Sequence, residues 1–302
     1  MKQHLSTKEK NCMASFSNET KFWHVYTNGR ETAILFATDE EFTFAMNVVA
    51  QSSFIFKSIK IIAFEIMSNH FHFVLSSKSE IEINMFFRFI KKRIFRFIPA
   101  IRNVELSLKQ IDNLNSLRNN IVYTNRNGYV SNTDYTPFSY PWGTGKYYFQ
   151  DIPCQKQYSD INIVQRRLMF RGRAPELPDD WRVINGLIVP TSFCSISLGM
   201  SMFRDAHHYF SMISKNVESY REIASELDDE EFMTDSELYN LMYRVVNEEY
   251  QLSSIHELTK SQKLDLAKTL RFKYRSSNGQ ICRLTGLSQY DINQLFPLSA
   301  KY

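Results

Sequence analysis

Glycine and proline are scarce in this chain of 302 residues, at 9 and 8. That scarcity excludes collagen-like repeats, Gly-rich linkers and mucin-like stalks. Cysteine is scarce as well. Cys12, Cys154, Cys194 and Cys282 lie far apart and form no C-x-x-C pair, which argues against a zinc site and a disulfide framework. The sequence has no run of about 18 uncharged apolar residues, so no membrane-spanning helix is expected. Its best apolar stretch, Ile61 to Met67, is short and contains Glu65. The opening MKQHLSTKEK is polar, so no secretory leader is expected and the cytoplasm is the default location. What the chain does have is a globular composition, with 43% hydrophobic and 23% charged residues. Its 24 Phe and 16 Tyr can fill a real core, in one large domain or two ordinary ones.

The net charge of +4 conceals an uneven distribution. Residues 1–150 carry +6, residues 151–257 carry −8, and residues 258–302 carry +6. Basic stretches attract phosphate backbones, although an ordinary solvated surface gives the same count.

Periodicity and turn signals predict an α+β chain. Lys21 to Thr27 reads as a strand, followed by a turn at Asn28-Gly29, and Ala33 to Phe36 as a short second strand. Thr38 with Glu41 forms a capping box before a helix with Phe42, Ala45, Met46 and Val49 on one face. Phe54 to Ile66 reads as a long strand, interrupted at Met67-Ser68-Asn69 and followed by a strand from His70 to Ser76. A second helix is expected from Glu82 to Ile98 and a third from Ser116 to Asn127, stopping at Gly128. The order points to antiparallel hairpins, not to a doubly wound sheet. Beyond residue 150 the pattern is mixed. An acidic cluster spans Glu226 to Glu237, and helices are expected around Asp235 to Tyr250. The last 45 residues read as three helices. Capping signals at Thr259/Gln262 and Ser288/Asp291 and a turn at Gly286 suggest a helix-turn-helix or a small packing bundle.

The sharpest local feature is Asn69-His70-Phe71-His72-Phe73. Side chains at i and i+2 of a strand share a face, so His70 and His72 can meet one divalent metal ion. Two histidines on a solvated strand face remain the alternative. Downstream, Tyr123 and Asn127 are spaced i, i+4 on one helix face. An amide oxygen from Asn127 would complete a three-ligand site, with Tyr123 one turn away. A packed core tyrosine remains the alternative for Tyr123.

Taken together these residues resemble the single-tyrosine HUH transposases, especially the REP-associated tyrosine transposase (RAYT) group. The resemblance covers about residues 20–150. It rests on Met67-Ser68-Asn69-His70-Phe71-His72, on Tyr123-Thr124-Asn125-Arg126-Asn127-Gly128, and on Tyr140-Pro141-Trp142-Gly143-Thr144. Family members have Pro where Ser68 and Gly128 stand, and Ser where Gly143 stands; Gly128 would end the helix by adopting φ > 0. The resemblance implies a ferredoxin- or RRM-like antiparallel sheet backed by helices. It makes His70, His72 and Asn127 ligands of Mg²⁺ or Mn²⁺ and Tyr123 the nucleophile. The implied activity is cleavage and rejoining of single-stranded DNA, often near a hairpin, through a 5′-phosphotyrosine.

Several features would serve that activity. Arg88, Lys91, Lys92, Arg93 and Arg96 lie on one helix as candidate DNA contacts. Gln289, Tyr290 and Asn293 lie on the outer face of the last helix, where duplex DNA is the expected partner. The expected divisions are a loose 1–20, a catalytic 21–150, an acidic connector 151–257 and a helix-turn-helix region 258–302. A homodimer is left open, and no membrane partner is expected. Two other readings stay in view. One is a non-catalytic DNA-binding regulator, the other a metal-dependent nuclease that uses water in place of Tyr123.

Overall fold

The computed structural model describes residues 20–28, 34–131, 135, 136, 138–153, 156–215, 223, 227, 233, 235–274, 276 and 278–296. The chain divides into two compact units, residues 1–129 with 135–229 and residues 130–134 with 230–302.

The first unit is built on a four-stranded antiparallel sheet. Strand β1 (Lys21–Tyr26) leads to helix α1 (Asp39–Ile55), the hairpin β2 (Lys60–Ile66) and β3 (Phe71–Ser77), helix α2 (Glu80–Phe95), strand β4 (Ser107–Ile111) and helix α3 (Leu114–Ser131). The sheet order is β2-β3-β1-β4. A βαββαβ order with this pairing is the ferredoxin-like arrangement, and α3 is added to it.

Strand alternation sorts the side chains into two layers. Trp23 pairs with Leu75 and Val25 with Phe73, whereas Tyr26 pairs with His72 and His24 with Val74. The first set faces α2: the Phe71 ring stacks on Phe87 with centroids 5.8 Å apart, and Phe73 meets Phe87 edge-on at 5.0 Å. Phe86 and Phe87 are fully buried there. Burial of each such ring is worth roughly 1.5–3 kcal/mol. The second set, with His72, faces α3.

Helix α1 starts as the sequence predicts. The Thr38 side chain accepts from the Glu41 N–H and the Glu41 carboxylate closes the capping box. Its burial runs nearly all round, from Phe44 to Ser53, because a second layer covers its other side. That layer holds a small sheet of β5 (Lys156–Gln157), β6 (Arg182–Ile184) and β7 (Leu187–Ile188), with α4 (Ile163–Met169) between β5 and β6. Asn47 of α1 is clamped to it: Nδ2 donates to Gly186 O at 2.9 Å, and Oδ1 accepts from the Ile188 N–H at 2.9 Å. Helices α5 (Ile196–Ser201) and α6 (Ala206–Lys215) complete the described part of this unit.

Four expectations are corrected here. Residues 34–36 form no strand; the Leu35 and Phe36 N–H groups both donate to Ser68 O, at 2.7 and 2.9 Å. Residues 54 and 55 end α1 instead of starting β2, because Phe54 packs edge-on against Trp181 of the second layer, at 5.9 Å. Helix α2 starts at Glu80, capped by Ser79, and ends at Phe95, ahead of a short 3₁₀ turn at Pro99–Asn103. Helix α3 does not stop at Gly128 but runs on to Ser131. Strand β4 was not anticipated. Residues 1–19, Gly29, Ala33 and most of the acidic cluster lie outside the described residues.

The second unit holds helices α7 (Asp235–Tyr250), α8 (Lys260–Phe272), α9 (Asn278–Thr285) and α10 (Gln289–Leu295). Leu238, Met242, Val246, Leu266, Leu270, Ile281 and Ile292 form one core. The capping boxes at Thr259/Gln262 and Ser288/Asp291 are both present, and Gly286 takes φ +69° in the turn between α9 and α10. Arg283 binds Asp235 through both Nε and Nη2, at 2.7 and 3.2 Å. Among the described residues no helix is long and apolar enough to cross a membrane.

Candidate functional site

The α3 face of the sheet brings His70, His72 and Tyr123 together. His70, just before β3, and His72, within it, lie with ring centroids 5.2 Å apart and planes at 90°. Tyr123 of α3 meets the His72 ring edge-on at 5.3 Å. The Tyr26 ring stacks on His72 from β1, at 6.0 Å and 12°. Asn127 lies one turn along α3 from Tyr123 and is wholly buried. These side chains are all closed off: His70 and His72 are 0% exposed and Tyr123 is 1% exposed. Ile223 and Leu227 pack with Tyr123 and Tyr26 in one apolar cluster.

A third imidazole joins this group, and sequence reasoning did not single it out. His24 Nε2 lies 2.9 Å from His72 Nδ1, and His24 Nδ1 lies 2.5 Å from Asn120 Oδ1. Its signal in the sequence was a histidine in the middle of the strand KFWHVY, two residues from Tyr26 on the same strand face. Asn120 Nδ2 donates to Ser116 O at 2.8 Å, so Oδ1 is the amide atom turned to His24. His24 therefore donates through Nδ1–H. His24 is 0% exposed, and one hydrogen bond joins its Nε2 to His72 Nδ1. His70 Nδ1 lies 2.7 Å from Asn69 Oδ1 and donates to it. In its neutral form His70 thus carries the ring lone pair on Nε2, from which an imidazole can bind a metal ion.

Glu65 and the 140–145 segment position α3 against the sheet. Glu65 of β2 stands opposite His72 in register. Its carboxyl accepts from the Gly128 N–H at 2.6 Å and from the Gly145 N–H. Burial pushes the Glu65 carboxyl well above the usual carboxylate range, and the two N–H donors oppose that shift. A Cβ on Gly128 would meet Glu65 Oε2 at 2.1 Å and Tyr140 Cδ1 at 2.2 Å. Gly128 is therefore required by close approach inside a helix and not, as the sequence suggested, by a left-handed φ at a helix end. Residues 140–144 run along the free edge of β2. Tyr140 donates through its hydroxyl to Ile66 O (2.7 Å), the Ile66 N–H to Trp142 O (2.9 Å), and the Thr144 N–H to Phe64 O (2.8 Å). Thr144 also reaches α3, donating to Asn125 Oδ1 at 2.8 Å.

The basic helix does not share this face. The rings of α2 pack on Phe71 and Phe73, which alternate with His70 and His72, so α2 lies across the sheet from them. Arg88, Lys92 and Arg96 form its exposed stripe, at i, i+4 and i+8. Lys91 Nζ is tied to Val104 O at 2.5 Å, and Arg93 is half-buried, with its guanidinium pKa lowered by burial and by Arg96. A basic residue that does share the histidine face is Lys109, opposite His24 on β4. In the second unit, Gln289 and Tyr290 are exposed; Gln289 Nε2 donates to Asn293 Oδ1 at 2.8 Å, which holds these two side chains to one another.

Among the described residues no three His, Cys, Asp or Glu side chains gather as a metal site. A cation here would rest on the His70 and His72 imidazoles, with the Asn127 amide as the expected third donor. That mixed set suits Mn²⁺ better than Mg²⁺, which prefers oxygen donors throughout.

No family model matches the chain, and no curated protein matches it. Among solved structures it is similar to one described as the REP associates tyrosine transposase bound to a REP hairpin. The likeness has 16% identity and a TM-score of 0.33, covering 55% of this chain and 93% of that one.

Proposed function

We propose that the protein is a DNA strand-transfer enzyme of the HUH tyrosine type, a transposase acting on single-stranded or hairpin DNA. The observation that supports this most is the meeting of His70, His72 and Tyr123, from a strand and a distant helix, on one face of a ferredoxin-like sheet. The motif resemblance supplies the roles.

In this reading Tyr123 Oη attacks a backbone phosphorus. The Oη–P bond forms, the bond from phosphorus to the 3′-oxygen breaks, and the phenol proton is released as the leaving oxygen gains one. The products are a 5′-phosphotyrosine and a free 3′-OH. Because the phosphodiester energy is retained, reversal on another 3′-OH rejoins the strand. His70, His72 and Asn127 would hold a divalent ion, which would supply charge neutralisation at the phosphate oxygens. An ordinary phenol titrates near pH 10, so a nearby cation would also favour its phenolate. Tyr123 is 1% exposed and packs with Ile223, Leu227 and Tyr26, so DNA reaches it only after the packing around it opens.

That burial favours one second reading, a non-catalytic DNA-binding regulator in which Tyr123 is a core residue. The test is incubation with labelled single-stranded hairpin DNA and Mn²⁺, followed by extension of the products with a DNA polymerase. Strand transfer predicts a fragment with an extendable 3′-OH whose partner fragment has a blocked 5′ end. Uncut DNA supports the regulator, and two protein-free fragments support a nuclease that uses water.

A further inference from the structure

We infer that His24 is a positioning residue that, held by Asn120, fixes the tautomer of His72. The inference deepens the proposed function and rests on it for the metal, but the tautomer is a property of the metal-free chain.

The chain of contacts runs in one direction. Ser116 O accepts from Asn120 Nδ2 (2.8 Å), Asn120 Oδ1 from His24 Nδ1–H (2.5 Å), and His24 Nε2 from His72 Nδ1–H (2.9 Å). The first orientation is set by a backbone carbonyl that can only accept, and it fixes the proton on His24 Nδ1; with both rings neutral, as at the pH of the test below, His24 Nε2 then accepts from His72. Neutral imidazole has one N–H and one lone pair, so a proton held on His72 Nδ1 puts the lone pair on Nε2. A metal-binding imidazole is oriented in this way by an outer partner on its other nitrogen. His70 uses its neighbour Asn69 for the same purpose, at 2.7 Å. His72 lies inside β3 and instead takes a partner from β1, with that partner anchored on α3.

Geometry also limits what His24 does itself. Its ring is edge-on to both His72, at 5.2 Å, and Tyr123, at 5.8 Å, and both of its nitrogens are engaged, by Asn120 and His72. It therefore acts through His72 and not as a ligand.

The test uses ¹⁵N-histidine-labelled full-length protein without metal, at a pH above the range in which histidine titrates. Two-bond ¹H–¹⁵N correlations then read which ring nitrogen of His72 carries the proton. Wild type should show Nδ1–H, and His24→Leu should move His72 towards Nε2–H. His24→Gln, whose side-chain oxygen can accept from His72, should restore Nδ1–H. In calorimetry, His24→Leu should bind Mn²⁺ about 10- to 100-fold more weakly, the range for loss of an outer-shell partner, with His24→Gln close to wild type. An Nε2–H proton on His72 in wild type overturns the inference, and that reading needs no variant to fold. So does an unchanged tautomer and Mn²⁺ affinity in folded His24→Leu. A wild type that shows Nδ1–H yet takes up no Mn²⁺ supports the relay and contradicts the metal-binding part of the proposed function.

Discussion

His70 and His72, with Nδ1 bonded to Asn69 and to His24, lie together on one buried face. Removing either ring should remove the cation and the chemistry together. His70→Ala and His72→Ala are expected to lose measurable Mn²⁺ binding in calorimetry and cleavage in the hairpin assay. Asn127→Ala should weaken binding less, because a neutral amide is the poorest donor of the three. Wild-type affinity in both histidine variants would remove the metal assignment. Glu65 makes a separate prediction. Its carboxyl is held above the ordinary value of 4.5 by burial, so the folded state prefers it protonated. The stability it contributes is whole below the unfolded-state value and is lost as the pH rises towards and through the folded value. Glu65→Gln should abolish that part of the fall, so the difference in melting temperature between variant and wild type should change across this window. A difference that stays constant with pH would show that Glu65 titrates in the fold as it does in the unfolded chain.

Helix α3 carries Tyr123, and its placement depends on contacts that spacing alone does not reveal. Gly128 shows why. A Cβ there would lie 2.1 Å from Glu65 Oε2 and would overlap the Tyr140 ring. Gly128→Ala should therefore destabilise the protein by about 1–3 kcal/mol, the usual cost of overpacking, measured by urea unfolding. An unchanged midpoint would mean that α3 shifts without cost. The sequence made the helix legible but not its end. It read glycine as a terminator, whereas Glu65 lies far away in sequence. The pairing of His70 with His72 was legible because period-two alternation is local, and the nearness of Tyr123 was expected from motif order. His24 was not legible as a partner, since its contact with His72 depends on β1 and β3 being neighbours in the sheet. Strand β4 was missed because SLKQI is half-exposed at an edge, with little apolar alternation to mark it. Phe54 reads as strand from its β-like surroundings, whereas it lies in the last turn of α1 and packs edge-on against Trp181.

The molecule separates its features between two units. His70, His72, Tyr123 and Glu65 lie in the first, and the four C-terminal helices in the second. The division places residues 151–215 with the ferredoxin-like sheet and α7 with α8, α9 and α10, whereas the sequence drew its boundaries at 150 and 257. If the last helix reads duplex DNA, Gln289→Ala with Tyr290→Ala should weaken duplex binding and leave hairpin cleavage unchanged. Both side chains are exposed, so folding should be unaffected. Equal duplex affinity for variant and wild type would identify these helices as a packing bundle. The most direct test of the account is the covalent bond itself. Wild type and Tyr123→Phe would each be incubated with labelled single-stranded hairpin DNA and Mn²⁺, and the products separated on a denaturing protein gel. The account predicts a labelled protein band for wild type, mapped by mass spectrometry to Tyr123, and no such band for Tyr123→Phe, with DNA binding retained. A labelled band of equal strength in Tyr123→Phe, or none in wild type that cuts the DNA, would contradict it.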